Sequence, residues 1–292
     1  MKRRTFIETS IATAVVAAAR PSWAAAAVHH IDRVGLQLYT VRAMMKDDFE
    51  GTIAKVAQIG YKEVEFAGYF GKSPQEARAA IDKSGLVSPS SHISYNLIEA
   101  KLPETIDTCH VMGQKFIVCP YMADDMRTAN AWKKAAALFN KAGEATKKAG
   151  IQLCYHNHSF EFEKTEGLDV LPFDYLLAHT DPNLVKIQMD LCWMAVAGHD
   201  PIAYFDKYPG RFPMVHVKDW SKEGNAPQDY TGAVGHKVTG HIANVGSGSI
   251  DWKKIFARSE KAGIQHYFVE NDDAKSFDDT KASYDYLAKL TF

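Results

Sequence analysis

Apolar and polar positions along the chain follow two alternating periods. Compact apolar runs occur at Val34–Tyr39, Tyr61–Phe66, Leu86–Ile93 and Lys115–Cys119, and again at Ile151–His156, Val185–Asp190, Met214–Asp219 and Gln265–Glu270. Short runs of this kind are what strands covered on both faces require. Between them lie stretches with the spacing of amphipathic helices, as in Ala129–Ala149 and Trp252–Ala262. Gly60, Gly85, Gly113, Gly150 and Gly263 each stand just before a strand. Glycine accepts the left-handed backbone that ends a helix, so these positions read as helix stops. Lys148–Gln152 and Lys261–Gln265 repeat the same five residues, Lys-Ala-Gly-Ile-Gln, as a repeated strand–helix unit predicts.

Eight strands alternating with helices predict an α/β chain closed into a single (β/α)₈ barrel over residues 28–292. The alternative is an open doubly wound sheet. It would bring a glycine-rich phosphate loop after the first strand, and Gln37–Arg42 contains no glycine.

Two stretches break the alternation. Residues 1–27 read as an export leader: Lys2-Arg3-Arg4-Thr5-Phe6-Ile7, an Ala-rich apolar run from Ile11 to Ala19, then Ser22-Trp23-Ala24 at a cleavage-like position. The paired arginines point to a twin-arginine leader and a periplasmic or otherwise exported protein, with a general secretion leader as the alternative. The apolar run is shorter than the ~20 residues a membrane span needs, so no membrane association is expected after leader removal. The second break, Trp220–Gly248, is rich in Gly, Asn, Ser and Thr and shows no helical pattern. It reads as either a lid or a surface insertion.

Composition narrows the function classes. The chain carries 34 Lys and Arg against 35 Asp and Glu, a formal net charge of −1. That balance leaves no basic footprint for a nucleic acid. The four cysteines, Cys109, Cys119, Cys154 and Cys192, lack the close spacing of zinc or redox motifs and read as buried core residues.

Chemistry gathers where the strands end. Glu65 closes the second strand and His92 the third. Tyr155-His156-Asn157-His158 closes the fifth, with Glu161 just beyond. Asp190 closes the sixth, His216-Val217-Lys218-Asp219 the seventh, and Glu270-Asn271-Asp272 the last. Closing a barrel turns these ends toward one mouth, where such enzymes keep their active sites. So many ionisable groups packed together are costly without a cation or substrate to organise them. Carboxylates with imidazole suit Mn²⁺ or Mg²⁺, with Co²⁺, Zn²⁺ or Fe²⁺ as alternatives. A divalent ion beside acid–base groups suggests proton abstraction next to a carbonyl, through a metal-stabilised enediolate.

These pieces resemble the xylose isomerase-like TIM barrel superfamily, often labelled sugar phosphate isomerase/epimerase. The resemblance runs from Val34 to Leu290. It rests on Tyr155–Phe162, Met189-Asp190, His216–Asp219, Val245–Trp252 and Phe268-Val269-Glu270 in that order. It implies one divalent metal, Mn²⁺ first, held by Glu161, Asp190, His216 and Glu270. It also implies a sugar isomerase or epimerase in which Glu161 and Glu270 act as bases with His156 and Lys218. His92, His158, Glu65 and Asp219 are then expected at the substrate, with Lys218–Asp219 pairing as an alternative for those two.

At the end of the fifth strand the family has a glutamate where this chain has His156, so His156 in place of Glu161 is the other choice for the fifth-strand ligand. A histidine there suits one-sided proton removal and loss of a leaving group. The second expectation is therefore a lyase or hydratase of 3-keto-glycosides, and the third a non-catalytic sugar-binding barrel. The expected partner is a small sugar or keto-glycoside, with self-association left open. Tyr39 and Trp193 are read as core, with the pocket wall as their alternative.

Overall fold

The computed structural model describes residues 28–222 and 240–292. Eight parallel strands form a closed barrel: β1 (Val34–Gln37), β2 (Glu63–Phe66), β3 (Val87–His92), β4 (Phe116–Cys119), β5 (Gln152–His156), β6 (Val185–Asp190), β7 (Met214–Val217) and, after two further strands, β10 (His266–Val269). They follow one another in chain order around the barrel, and β10 closes it between β7 and β1. Helices including Phe49–Ile59, Pro74–Lys83, Leu102–Met112 and Ala129–Lys148 lie between consecutive strands, and Phe277–Leu287 follows the last one. The expected single (β/α)₈ barrel is the observed architecture. The export leader expected at residues 1–27 lies outside the described residues.

The alternation within each strand sorts its side chains between two cores. Ile117, Leu153, Tyr155, Val215 and Val269 join the large apolar layer that also takes in helix residues such as Phe139, while Phe116, Val118, Cys154, Met214 and Phe268 form a separate cluster. With a side-chain period of two, the second set is the filling of the barrel itself. Glu63 closes the end opposite the mouth, holding His266 Nδ1 at 2.7 Å and Arg33 Nε at 3.2 Å. The same alternation carries on toward the mouth and delivers Glu65, His92, His156, Asp190, His216 and Glu270 to its carboxyl end.

The five glycines expected to stop helices all take positive φ, from 69° at Gly85 to 129° at Gly60. All four cysteines are buried and unpaired. Burial pushes the Cys109 and Cys119 thiols up to about 12, and raises Cys154 and Cys192 well above their usual value.

Three boundaries differ from expectation. The first strand stops at Gln37 because its side-chain Oε1 accepts from Tyr39 N and turns Leu38–Val41 into a 3₁₀ turn. The helix read as Trp252–Ala262 is two, Trp252–Phe256 and Ser259–Ala262. The seventh run splits after Val217: Asp219–Ser221 (β8) leaves the barrel and pairs antiparallel with His241–Ala243 (β9). This ribbon lies at the two ends of the stretch read as a lid or an insertion, whose residues 223–239 lie outside the described ones.

Candidate functional site

The deepest group at the mouth is Glu65. Its Oε2 accepts from Gln37 Nε2 at 2.8 Å and lies 2.7 Å from His216 Nε2 and 3.2 Å from His92 Nε2. Its Oε1 accepts from Ser90 Oγ at 2.6 Å and Gln188 Nε2 at 2.7 Å. Burial alone would raise this carboxyl. The His92 and His216 charges and their hydrogen bonds overcome burial and hold it well below its usual value. Glu65 is thus a carboxylate fully engaged by protein donors, which makes it a floor for the site.

His216 stands on that floor. Its other nitrogen, Nδ1, lies 2.9 Å from Glu270 Oε2. Burial works against protonation of this ring, but the Glu270 charge and the bonds to Glu270 and Glu65 outweigh it and raise His216 to about 10. Lys218, the next inward residue of the same segment, is fully buried. Its Nζ lies 2.6 Å from Asp272, 2.9 Å from Glu270 and 3.4 Å from Asp190, over the Trp193 ring at 4.9 Å. Those carboxylates more than offset burial and keep the ammonium charged. The alternative pairing with Asp219 does not form.

Asp190, His216 and Glu270, all buried, offer ligand atoms within 4.8 Å of one another. Asp190 Oδ1 caps the following helix through Trp193 N at 2.8 Å. Its Oδ2 is buried without a hydrogen bond. Burial raises the Asp190 carboxyl against the pull of Lys218. A buried carboxylate oxygen that makes no hydrogen bond, only an ion pair to Lys218 at 3.4 Å, beside a second carboxylate and an imidazole is a donor set that fits a divalent cation. His92, His156 and His216 form a second group with ligand atoms equally close; the two groups share His216.

Glu161, expected among the ligands, is placed elsewhere. The chain turns through the 3₁₀ segment Phe160–Phe162 after β5, and the buried carboxylate accepts from Tyr155 Oη at 2.6 Å and His158 N at 2.8 Å. Burial raises Glu161 to about 7. It belongs to neither ligand group among the described residues. His156, at the very end of β5, does.

Asp219, expected at the substrate, has its carboxylate filled by the backbone N–H groups of Trp220, Gly246, Gly248 and Ile250 and by Trp252 Nε1, at 2.9 to 3.3 Å. It anchors the Val245–Trp252 turn. Gly248 is obligatory there, because a Cβ would sit 2.1 Å from Asp219 Oδ1.

A pocket of about 520 Å³ opens above this floor, lined by His92, His156, His158, Glu270, Asp272 and the rings of Tyr39 and Tyr121, among others. Tyr39 is 42% exposed and belongs to the pocket rim, whereas Trp193 is buried. His158 packs against Trp193, Phe160 and Tyr121, and its Nδ1 is buried without a partner. Burial, with Lys218 adding to it, lowers His158 to about 3; burial, with His216 adding to it, takes His156 well below its usual value. Both rings are neutral.

Gln188 was not singled out by sequence, and Asp272 was named only within the Glu270-Asn271-Asp272 strand end, without a role of its own. Gln188 alternates with Asp190 in Lys186-Ile187-Gln188-Met189-Asp190, so the signal was its inward phase in a buried strand. Its Oε1 lies 2.8 Å from His92 Nε2 and 3.2 Å from His156 Nδ1. Asp272 lies two residues past Glu270, in phase with it.

Known proteins resemble this chain in sequence and fold. A family profile for the xylose isomerase-like TIM barrel matches residues 53–290. Inosose dehydratase of Lacticaseibacillus casei is 24% identical over 254 residues, 78% of this chain and 84% of that protein. A solved sugar phosphate isomerase/epimerase of Parabacteroides distasonis is 27% identical with a TM-score of 0.70, covering 88% of this chain and 94% of its own. A solved 3-keto-D-glucoside 4-epimerase of E. coli shares the fold at 15% identity and a TM-score of 0.61, covering 88% of this chain and 97% of its own. The chain belongs to the xylose isomerase-like TIM barrel family.

Proposed function

We propose that this protein is a divalent-metal-dependent lyase or dehydratase that removes a proton next to the carbonyl of a cyclic sugar-like ketone and expels the oxygen substituent on the neighbouring carbon. One observation carries the choice of elimination: the place of Glu161. Epimerisation by two bases needs a proton acceptor on each face of the substrate carbon. The Glu161 carboxylate, a natural second base, is held by Tyr155 and His158 N and stands apart from the Asp190–His216–Glu270 group. The name of the dehydratase relative, itself a catalyst of water loss, agrees with this reading.

Asp190, His216 and Glu270 would hold the ion. When bound, it supplies Lewis-acid polarisation of a carbonyl oxygen. His156 lines the pocket, is neutral, and has no partner at Nε2 among the described residues. It takes the proton on Nε2 as the C–H bond breaks. The electron pair forms the new C=C bond, and the β C–O bond breaks, the departing oxygen collecting a proton to leave as water or an alcohol. His158, 5.0 Å from His156 between ring centres, and Asp272 contact the substrate hydroxyls. Lys218 keeps the crowded carboxylates compatible in one small volume.

A second reading, a sugar isomerase or epimerase on the same site, is favoured by the 27% identity to a sugar phosphate isomerase/epimerase. NMR in D₂O with Mn²⁺-preloaded, desalted protein separates the two across cyclic keto-polyols, keto-sugars and 3-keto-glucosides. Elimination releases water or aglycone and gives an unsaturated ketone. Isomerisation or epimerisation gives deuterated product that keeps every oxygen. Neither product nor exchange from any of them, with tight sugar binding, would sink both and leave a binding barrel.

A further inference from the structure

Gln188 sits where the floor of the site meets two of its histidines, and its geometry leaves it little freedom. One end of its amide faces Glu65 Oε1 at 2.7 Å; the other faces His92 Nε2 at 2.8 Å and His156 Nδ1 at 3.2 Å. Which end is which follows from Glu65. That carboxylate collects Gln37, Ser90 and His216 as well, so it is an acceptor. An amide oxygen turned toward it would set two acceptors against each other in a buried place, at the cost of an unmade hydrogen bond. The NH₂ therefore faces Glu65 and the oxygen faces the rings.

An amide oxygen only accepts. Both ring nitrogens that meet it must therefore carry hydrogen: Nε2 of His92 and Nδ1 of His156. A neutral imidazole has one N–H, so His156 is left with a bare lone pair on Nε2, on the far side of the ring from Gln188. We infer that Gln188 is a positioning residue that fixes His156 as its Nδ1–H tautomer, so that the atom free to accept a proton is Nε2. The chain of dictation runs from Glu65 through the Gln188 amide to His156, and every link is buried.

A second consequence follows for His92. Its Nε2 hydrogen is committed to the floor, where Gln188 Oε1 and Glu65 Oε2 both accept. A single amide oxygen thus holds an N–H on each ring of the pair, Nε2 of His92 and Nδ1 of His156, 5.2 Å apart between ring centres.

This inference rests on the elimination reading for the use of Nε2, but the tautomer is measured without turnover. Long-range ¹H–¹⁵N correlation on ¹⁵N-histidine-labelled, Mg²⁺-loaded protein at neutral pH reads it directly, with the His156 signals assigned by their absence from His156→Gln. The expected result is a protonated-type nitrogen at Nδ1 and an unprotonated-type nitrogen at Nε2. The reverse assignment overturns the proposal, even if no Gln188 variant folds.

Gln188→Met keeps the side-chain length and removes both polar ends. In the folded variant His156 is expected to lose the single Nδ1–H form, and kcat to fall by about 10- to 100-fold with KM little changed, in the range seen when a partner that orients an active-site imidazole is removed. An unchanged His156 tautomer in that variant overturns the proposal. A wild-type tautomer as expected, with no turnover of any cyclic ketone, would instead count against the elimination reading alone.

Discussion

Gly35 lies against one side of the Phe268 ring inside the barrel: a Cβ on Gly35 would stand 2.5 Å from Phe268 Cδ1 and 2.8 Å from Cε1. The ring, fully buried, fills the space below the site and packs with Phe116, Cys154, Val118 and Met214. Cores at native density do not absorb an added methyl freely. Gly35→Ala is therefore expected to destabilise the protein by about 1–3 kcal/mol, read as a lowered denaturation midpoint in guanidinium. A midpoint equal to wild type would show that the Phe268 ring has room to move.

Glu270→Gln tests the metal assignment. Glu270 touches both His216 and Lys218 and is one of three close ligand candidates. The amide keeps the shape and removes the charge. Metal content after desalting should fall to background, by elemental analysis, and turnover should be lost with it. Full retention of metal by a folded variant would remove Glu270 from the ligand set.

Glu161→Gln is expected to behave in the opposite way and keep its metal. It should also change the response of stability to pH. The folded-state value near 7 lies above the usual carboxyl value of 4.5, so the native state holds the extra proton between them. Wild-type stability therefore falls as pH rises from 4.5 to 7, and the penalty is complete above 7. At about 1.4 kcal/mol per pH unit the penalty reaches about 3 kcal/mol. Glutamine accepts from His158 N and donates to Tyr155 Oη, so the variant should be the more stable protein at pH 8 and gain nothing below pH 4.5. Chemical denaturation across that range measures it. A wild-type-to-variant difference that does not change with pH would contradict the burial argument.

Asp219→Ala should loosen the turn from Val245 to Trp252. It strips one acceptor from five donors, four of them backbone N–H groups, and a donor left unmatched where it is buried, as at Trp220 N or Trp252 Nε1, costs about 1–3 kcal/mol. Faster amide hydrogen exchange at Gly246, Gly248 and Ile250 is the expected signature. Unchanged exchange there would deny Asp219 its anchoring role.

The barrel was legible because its rules are local. Buried strands announce themselves as apolar runs, and a helix stop such as Gly150 or Gly263 is the same chemistry wherever it occurs. Asp190, His216 and Glu270 were nameable because strand ends converge in a barrel, and the structure does bring these three together. Glu161 shows where that logic ends. It lies five residues beyond His156, and a single 3₁₀ turn decides whether its carboxylate faces the mouth or Tyr155. Asp219 looked like a ligand for substrate for the same reason: it follows a barrel strand, but its acceptors meet a turn almost thirty residues further on. Gln188 carries no charge, and its inward phase in the strand gives it no role by itself; its three simultaneous neighbours do.

The thiols carry a last consequence. With every cysteine sealed inside the fold and held as the neutral S–H form at ordinary pH, the protein offers no thiolate to an oxidant or to a soft metal such as Cu(I). Its architecture is the same on either side of a redox boundary: nothing in it has to be bridged to hold shape, and nothing is there to be scrambled.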